Sequence, residues 1–245
     1  MNASRMPVRA MVLAAGLGTR MRPLTDRLPK ALVPVQGKTL LDRALDWLVA
    51  SGVREAVVNH YHMAEMIEAH LARRAAPRLR LSRENERLET GGGIRLALPF
   101  FDGQPFFSVN SDVICIDGHI PALHRLWQTW DDSVDALLLV HPVARAVGYD
   151  GAGDFFVSPD GVIRRRQSDI LAPFVFTGVQ LLHPRLFGSA PPGAFSLNRL
   201  YNRGMSADGV LQHVRALVHD GDWLHVGTPE NLRQAESWLS AHRLA

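Results

Sequence analysis

Leu13-Ala14-Ala15-Gly16-Leu17-Gly18-Thr19-Arg20-Met21-Arg22-Pro23 is the stretch that decides how this chain is read. It follows directly on the apolar run Ala10 to Leu13, which reads as a buried strand. Small residues let a backbone come close to phosphate oxygens, and Arg20 and Arg22 add fixed positive charge beside them. A second basic element, Pro29-Lys30-Ala31-Leu32-Val33-Pro34-Val35, follows, and its prolines predict that Lys30 is held on an extended segment. The ligand such a place suits is a nucleoside triphosphate. The spacing is not the G-x-x-x-x-G-K-S/T of a P-loop. Met21 also stands where G-x-G-x-x-G requires its third glycine, so a dinucleotide-binding dehydrogenase fits poorly.

The bulk numbers set the frame. With 245 residues, 47% of them hydrophobic, the chain can bury a sizeable core. A net charge of +3 with dispersed arginines gives no basic stripe for nucleic acid. The triplet Arg164-Arg165-Arg166 reads as a solvated strand end. Cys115, the one cysteine, excludes an internal disulfide, fits a reducing compartment and lies in an apolar stretch where it reads as an inert buried thiol. No apolar run nears the roughly 18 residues of a membrane span, and Met1 to Pro7 has no h-region and reads as a loose tail. The sequence therefore predicts a cytoplasmic protein that binds neither membrane nor nucleic acid.

Strand and helix patterns alternate through the first half. Thr39 is placed to cap a helix whose Leu40, Leu41, Ala44, Leu45, Leu48 and Val49 share one face, and Gly52 ends it. Glu55 to Asn59 reads as a strand, and Met63, Met66, Ile67, His70 and Leu71 as a second helical face with its methionines in the core. Arg78 to Arg83 alternates like an edge strand. Gly91 to Leu98 reads as a helix, Phe106 to Val109 as a strand, His119 to Trp130 as a helix and Ala136 to Val140 as a strand. Beyond Val147 the pattern becomes irregular, with a strand at Phe174 to Leu182, a helix at Leu197 to Arg203, a strand at Trp223 to Val226 and a helix from Pro229 to about His242. Strand-helix alternation implies right-handed crossovers and ligands at the carboxyl ends of the strands. The glycine loop, Asn59-His60 and Asn110-Ser111-Asp112 should therefore converge on one face.

The string from Leu13 through Val35 resembles the signature of the sugar-1-phosphate nucleotidyltransferases, L-A-A-G-x-G-T-R-M/L-x-P-L-T followed by P-K-x-L-V/L-P-V. The resemblance runs on through Glu89-Thr90-Gly91-Gly92-Gly93, Asn110-Ser111-Asp112-Val113 and Val226-Gly227-Thr228-Pro229. It implies an α/β, Rossmann-like three-layer fold with a mixed, mostly parallel central sheet. One nucleotidyltransferase domain would span 1–245, its nucleotide half about 8–140 and its sugar half about 141–245. The chain length and the middle motif are most similar to the N-acetylmuramate-1-phosphate uridylyltransferases of bacterial cell-wall recycling, which implies UTP. The alternatives are GTP with mannose 1-phosphate, and a non-catalytic nucleotide-sugar sensor on the same fold.

The same resemblance implies the site. Leu13, Ala14, Ala15, Gly16, Gly18, Thr19 and Arg20 would line the triphosphate, with Arg20 forked onto the pyrophosphate and Lys30 a point charge at the α-phosphate. Gly91 and Gly92 would meet the base, although a glycine turn before a helix is the plainer reading. Asn110, Gly153, Asp154, Thr177 and Gly178 would meet the sugar. Asp112 would hold Mg²⁺, a plain helix cap being the alternative, and Arg20, Lys30 and Asp112 would form the catalytic set. His225 stands where the family carries a second metal aspartate, and imidazole suits Mg²⁺ poorly. His225 acting through water, Asp220 or Asp222 moving in, and one carboxylate sufficing all remain open. The family's E-K-P element is absent, and Arg164-Arg165-Arg166-Gln167 lies in its region, where a basic residue could meet the lactyl carboxylate of a muramic acid.

Overall fold

The structure, a computed structural model, describes residues 6–242, so residues 1–5 of the tail stretch lie outside the described residues. In chain order the elements are β1 (Arg9–Leu13), β2 (Pro34–Val35), β3 (Lys38–Thr39), α1 (Leu40–Ala50), β4 (Glu55–His60), α2 (Ala64–Leu71) and β5 (Arg78–Arg83). They continue with α3 (Glu89–Ala97), β6 (Phe106–Asn110), β7 (Val113–Ile116), α4 (Ala122–Thr129), β8 (Ala136–Pro142), β9 (Phe155–Val157) and β10 (Val162–Arg165). The last are β11 (Phe174–Leu182), α5 (Asn198–Tyr201), β12 (Val210–Val218), β13 (Asp222–His225) and α6 (Pro229–Ala241).

Nine strands form one sheet in the order β5-β4-β1-β6-β11-β8-β12-β10-β9. β5, β4, β1 and β6 are parallel neighbours, as are β8 and β12, while β11 and β10 run against their neighbours. Alternate residues of each strand feed opposite faces. Ala10, Val12, Ala56, Val58, Phe107 and Val109 meet α1, α2 and α4 in one core, and Met11, Val57 and Phe106 meet α3 and α5 in the other. Leu41, Leu45 and Leu48 of α1 are wholly buried, and trimming any of them to alanine would cost about 2–5 kcal/mol. The Thr39 hydroxyl caps α1 by accepting the Asp42 N–H at 3.0 Å. Thr228 caps α6 in the same way through Asn231.

Several local expectations change. Lys30 opens a single 3₁₀ turn, Lys30–Leu32, because only Pro29 before it is extended and Pro34 lies beyond the turn. Met66 is 39% exposed and Val49 38%, so neither is core. α4 starts after Pro121 instead of at His119, and the helix expected at Leu197–Arg203 is the single turn α5. β12, for which the sequence pattern predicts no strand, lies inside the sheet between β8 and β10. Cys115 sits on β7 and burial pushes its thiol up, as expected of an inert side chain.

Burial holds His141, His183, His219 and His225 below the usual histidine value of 6.5. The unfolded chain therefore takes up these protons first as pH falls. Their contribution to stability is complete above about pH 6.5 and is lost as pH drops below it. Thermal melts should show the midpoint dropping between pH 7.5 and 5.5; an unchanged midpoint would contradict this assignment.

Candidate active site

At the carboxyl ends of β1, β4 and β6 the chain leaves a cleft of about 590 Å³. Its wall includes Leu13 to Thr19, Lys30, Asn59, Glu84, Thr90, Asn110, Asp112 and Ser196. Other hollows of about 680 and 740 Å³ are comparable in size, but neither contains the glycine loop.

The loop after β1 is shaped to receive anions. Gly18 has φ +67°, and a Cβ there would come within 2.9 Å of both Lys30 Cβ and Thr25 Cγ2. Only glycine lets the loop lie against the Lys30 turn in this conformation. Thr25 closes the loop by donating its hydroxyl to the Gly18 carbonyl at 2.8 Å. Among the described residues, no protein acceptor takes the peptide N–H groups of Ala15, Gly16, Leu17 or Gly18. Such a run of unused donors has hydrogen bonds to offer an anion.

Lys30 Nζ donates to Asp112 Oδ2 at 2.6 Å, with the lysine only 12% exposed. Burial works to raise the Asp112 carboxyl, but the Lys30 charge and hydrogen bond outweigh it and hold the group below the usual carboxylate range. β7 begins immediately after Asp112 and pairs with β13, which puts His225 opposite Val113, and the Val226 N–H donates to the Asp112 carbonyl at 3.0 Å. His225 Nδ1 lies 3.2 Å from the Gly148 carbonyl, which can only accept, so this nitrogen carries the proton and Nε2 keeps a lone pair. Burial lowers the imidazole's proton affinity against the pull of Asp112, so the ring is neutral at neutral pH. The neighbouring Trp223 ring stacks on it at 5.9 Å.

A buried polar chain ties the loop to α3. The Ala14 N–H donates to Asn59 Oδ1 at 2.9 Å, Asn59 Nδ2 donates to Glu84 Oε1 at 2.7 Å, and Glu84 Oε2 accepts the Leu88 N–H at 3.1 Å. The Ala14 backbone is thereby joined through three hydrogen bonds to Leu88, the residue before α3.

The nucleotidyl transferase family model matches residues 9–151. Over 243 residues the chain is 42% identical to the N-acetylmuramate alpha-1-phosphate uridylyltransferase of Caulobacter vibrioides, covering 97% of this chain and 99% of that one. The chain belongs to the sugar-1-phosphate nucleotidyltransferase family. The Neisseria meningitidis enzyme of the same name is 33% identical over 96% of this chain and 99% of its own. Among solved structures, HddC from Yersinia pseudotuberculosis complexed with GMP-PN superposes with a TM-score of 0.76 at 22% identity, over 94% of this chain and 99% of that one. That likeness extends the Rossmann-like α/β fold to nearly the whole nucleotidyltransferase.

The cleft brings together Leu13 to Thr19, Lys30, Asn110 and Asp112. Arg20 is exposed in the 3₁₀ turn Thr19–Met21 after the loop and, unlike Gly18 and Thr19, is not in the cleft wall. Gly91 and Gly92 are not in the cleft wall. A Cβ on Gly91 would lie 2.2 Å from the Phe195 ring, and one on Gly92 would lie 2.6 Å from the Gly193 carbonyl. Both N–H groups donate to the Phe195 carbonyl. Their smallness serves packing of α3 on the 193–195 segment, and Glu89 and Thr90 face the cleft in their place. Gly93 fits against Glu84 and Asn59 in the same manner.

The expected sugar residues divide. Gly178, at φ +84°, lets β11 pass Asn110, where a Cβ would approach to 2.9 Å. Thr177 is wholly buried and donates to the Leu139 carbonyl, Asp154 accepts the Phe176 N–H, and the Gly153 N–H donates to the Tyr149 hydroxyl. Of the expected sugar residues only Asn110 lines the cleft; Gly178 touches it through Asn110, and Gly153, Asp154 and Thr177 lie outside its wall. Asn59 lines it, whereas His60 is wholly buried beside Glu68. Asp222 pairs opposite Ile116, three residues along β7 from the His225 end, and lies by Arg145, while Asp220 pairs with Arg125. At roughly 3.3 Å per residue, both carboxylates stand about 10 Å or more from Asp112, so neither replaces His225. Glu84 and Ser196 had no local motif to announce them: each reaches the cleft through tertiary packing.

Proposed function

We propose that this protein transfers the uridylyl group of UTP to N-acetylmuramate 1-phosphate and releases pyrophosphate. The reading rests on the near end-to-end resemblance to an enzyme of that activity, and the glycine loop with its opposed Lys30–Asp112 pair supplies a site of the required chemistry.

In this reading the phosphate oxygen of the acceptor attacks the α-phosphorus of UTP. The O–P bond to the β-phosphate breaks, and pyrophosphate leaves with the electron pair. The attacking oxygen is already ionised, so no general base is required, and catalysis comes from alignment and charge neutralisation. The peptide N–H groups of Ala15 to Gly18 hold the triphosphate oxygens. Lys30 meets the charge that builds at the α-phosphate, and Arg20 covers the departing pyrophosphate. Asn110 and the backbone at Gly178 flank the acceptor sugar.

A divalent cation fits this site at Asp112, since a hard ion such as Mg²⁺ takes one or two carboxylates with phosphate and water oxygens for the rest. It would supply charge neutralisation at the α-phosphate. Among the described residues no group of three His, Cys, Asp or Glu side chains stands together to hold a metal ion. The imidazole of His225 is a poor direct ligand for Mg²⁺.

The test is a matrix of UTP, GTP and TTP against N-acetylmuramate, N-acetylglucosamine and mannose 1-phosphates with Mg²⁺, reading pyrophosphate. UTP with the muramate should give the highest kcat/KM. Release confined to GTP with mannose 1-phosphate would overturn the choice of substrates, and release with no pair would favour a nucleotide-sugar sensor.

A further inference from the structure

We propose that Arg165 reads the carboxylate of the acceptor sugar and so selects acid-bearing sugar 1-phosphates over neutral ones. The inference rests on the reading of the acceptor as N-acetylmuramate 1-phosphate, a sugar that differs from N-acetylglucosamine 1-phosphate by a lactyl ether ending in a carboxylate.

The three consecutive arginines have different surroundings. Arg166 is spent on the protein, its Nε donating to the Gly153 carbonyl at 3.0 Å and its Nη1 to the carbonyls of Gln167 and Ser168 at 3.2 and 3.0 Å. Arg164 lies over the Phe156 ring at 4.7 Å. Arg165 lies over Phe155, 5.1 Å from the ring centroid, and its one side-chain hydrogen bond is Nη2 to Asn198 Oδ1 at 3.2 Å. Its Nε is buried with no acceptor, and among the described residues its one side-chain partner is the neutral Asn198 amide. Burial lowers its proton affinity, with Asp154 and Tyr201 only partly offsetting the effect. A half-buried guanidinium with an unused donor edge and a neutral partner is unfavourable unless an anion visits it.

Its place in the fold says which anion. Arg165 ends β10 opposite Phe155, and Phe155 pairs with Phe174 at the start of β11. β11 then runs down past Asn110, whose side chain touches Gly178. On the other side, Asn198 follows Ser196 of the cleft wall by two residues. Arg165 is not itself in the cleft wall; it stands beyond Asn110, away from the Lys30–Asp112 end where the phosphates would bind. A planar guanidinium fork matches a carboxylate with two parallel hydrogen bonds, which a lysine cannot reproduce. Asn198 fixes the plane of that fork by holding Nη2.

The experiment is steady-state kinetics of pyrophosphate release with UTP and either N-acetylmuramate or N-acetylglucosamine 1-phosphate, for wild type, Arg165→Met and Arg165→Lys. The ratio of the two kcat/KM values should fall about 10- to 100-fold in Arg165→Met, through KM for the muramate. Arg165→Lys should lose part of the preference; it keeps the charge and the stem over Phe155, and it decides the matter if the methionine variant melts early. A preference that survives in a folded Arg165 variant would overturn the assignment while leaving the proposed function intact. A wild-type enzyme with no preference for the muramate would overturn both.

Discussion

Replacing Lys30 with methionine should lower kcat about 100- to 1,000-fold, the usual cost of removing one preorganised group that meets developing charge. Lys30 is fixed from both ends. Its Cβ is wedged against Gly18, where a Cβ would come within 2.9 Å, and its ammonium is held at 2.6 Å from Asp112. Methionine keeps the stem against Gly18 and removes only the charge. Because the proposed contact strengthens as charge builds at the α-phosphorus, the loss should fall on kcat more than on the KM for UTP. Arginine should rescue poorly, since its planar fork cannot occupy the space of a compact ammonium beside Asp112. Pyrophosphate release at saturating UTP checks this. A kcat within a few fold of wild type, in a variant that binds UTP and melts normally, would remove Lys30 from the catalytic set.

The sequence carried the first half of the fold well because its apolar runs are short, clean and separated by cap and turn residues. Thr39, Gly52 and the alternating Arg78 to Arg83 mark their elements unaided. β12 escaped because Gln212, His213 and Arg215 interrupt its apolar residues, so no period of two emerges although Leu211 and Val214 are wholly buried. The site shows a similar division. The glycine loop is legible because its geometry is local: Gly18 must take a left-handed turn, and Lys30 is only twelve positions away. The glycine triplet is visible as a motif, yet its cause is not, because Phe195 and Gly193 arrive from a hundred residues downstream. Glu84 likewise has meaning only once β4, β5 and α3 are adjacent, when Asn59 and the Leu88 N–H find it. The arginine triplet looks like one solvated run in sequence, and the structure separates it into three different side chains.

Asp112→Asn should raise the Mg²⁺ concentration for half-maximal rate at least about tenfold and lower kcat/KM about 100-fold or more. Asparagine keeps the shape of the side chain, and the backbone bond from Val226 to the residue-112 carbonyl does not involve the side chain, so the β7–β13 hairpin should stay in register. The substitution removes the negative charge that fits a divalent ion, and it also leaves the Lys30 ammonium without its counter-ion. The two effects separate by titration. A lost cation site shifts the Mg²⁺ curve and is partly recovered by more Mg²⁺, whereas a misplaced Lys30 lowers the rate at every Mg²⁺ concentration. His225→Asp is the informative partner: it adds a carboxylate beside Asp112 where the present chain offers an imidazole, and it should move the Mg²⁺ curve to lower concentration. An unchanged Mg²⁺ curve in Asp112→Asn would show that another group holds the ion. Asp220 and Asp222 cannot be that group, because they lie at the far end of the hairpin beside Arg125 and Arg145. The triphosphate itself would then have to carry the ion, and Asp112 would act chiefly as the anchor that aims Lys30.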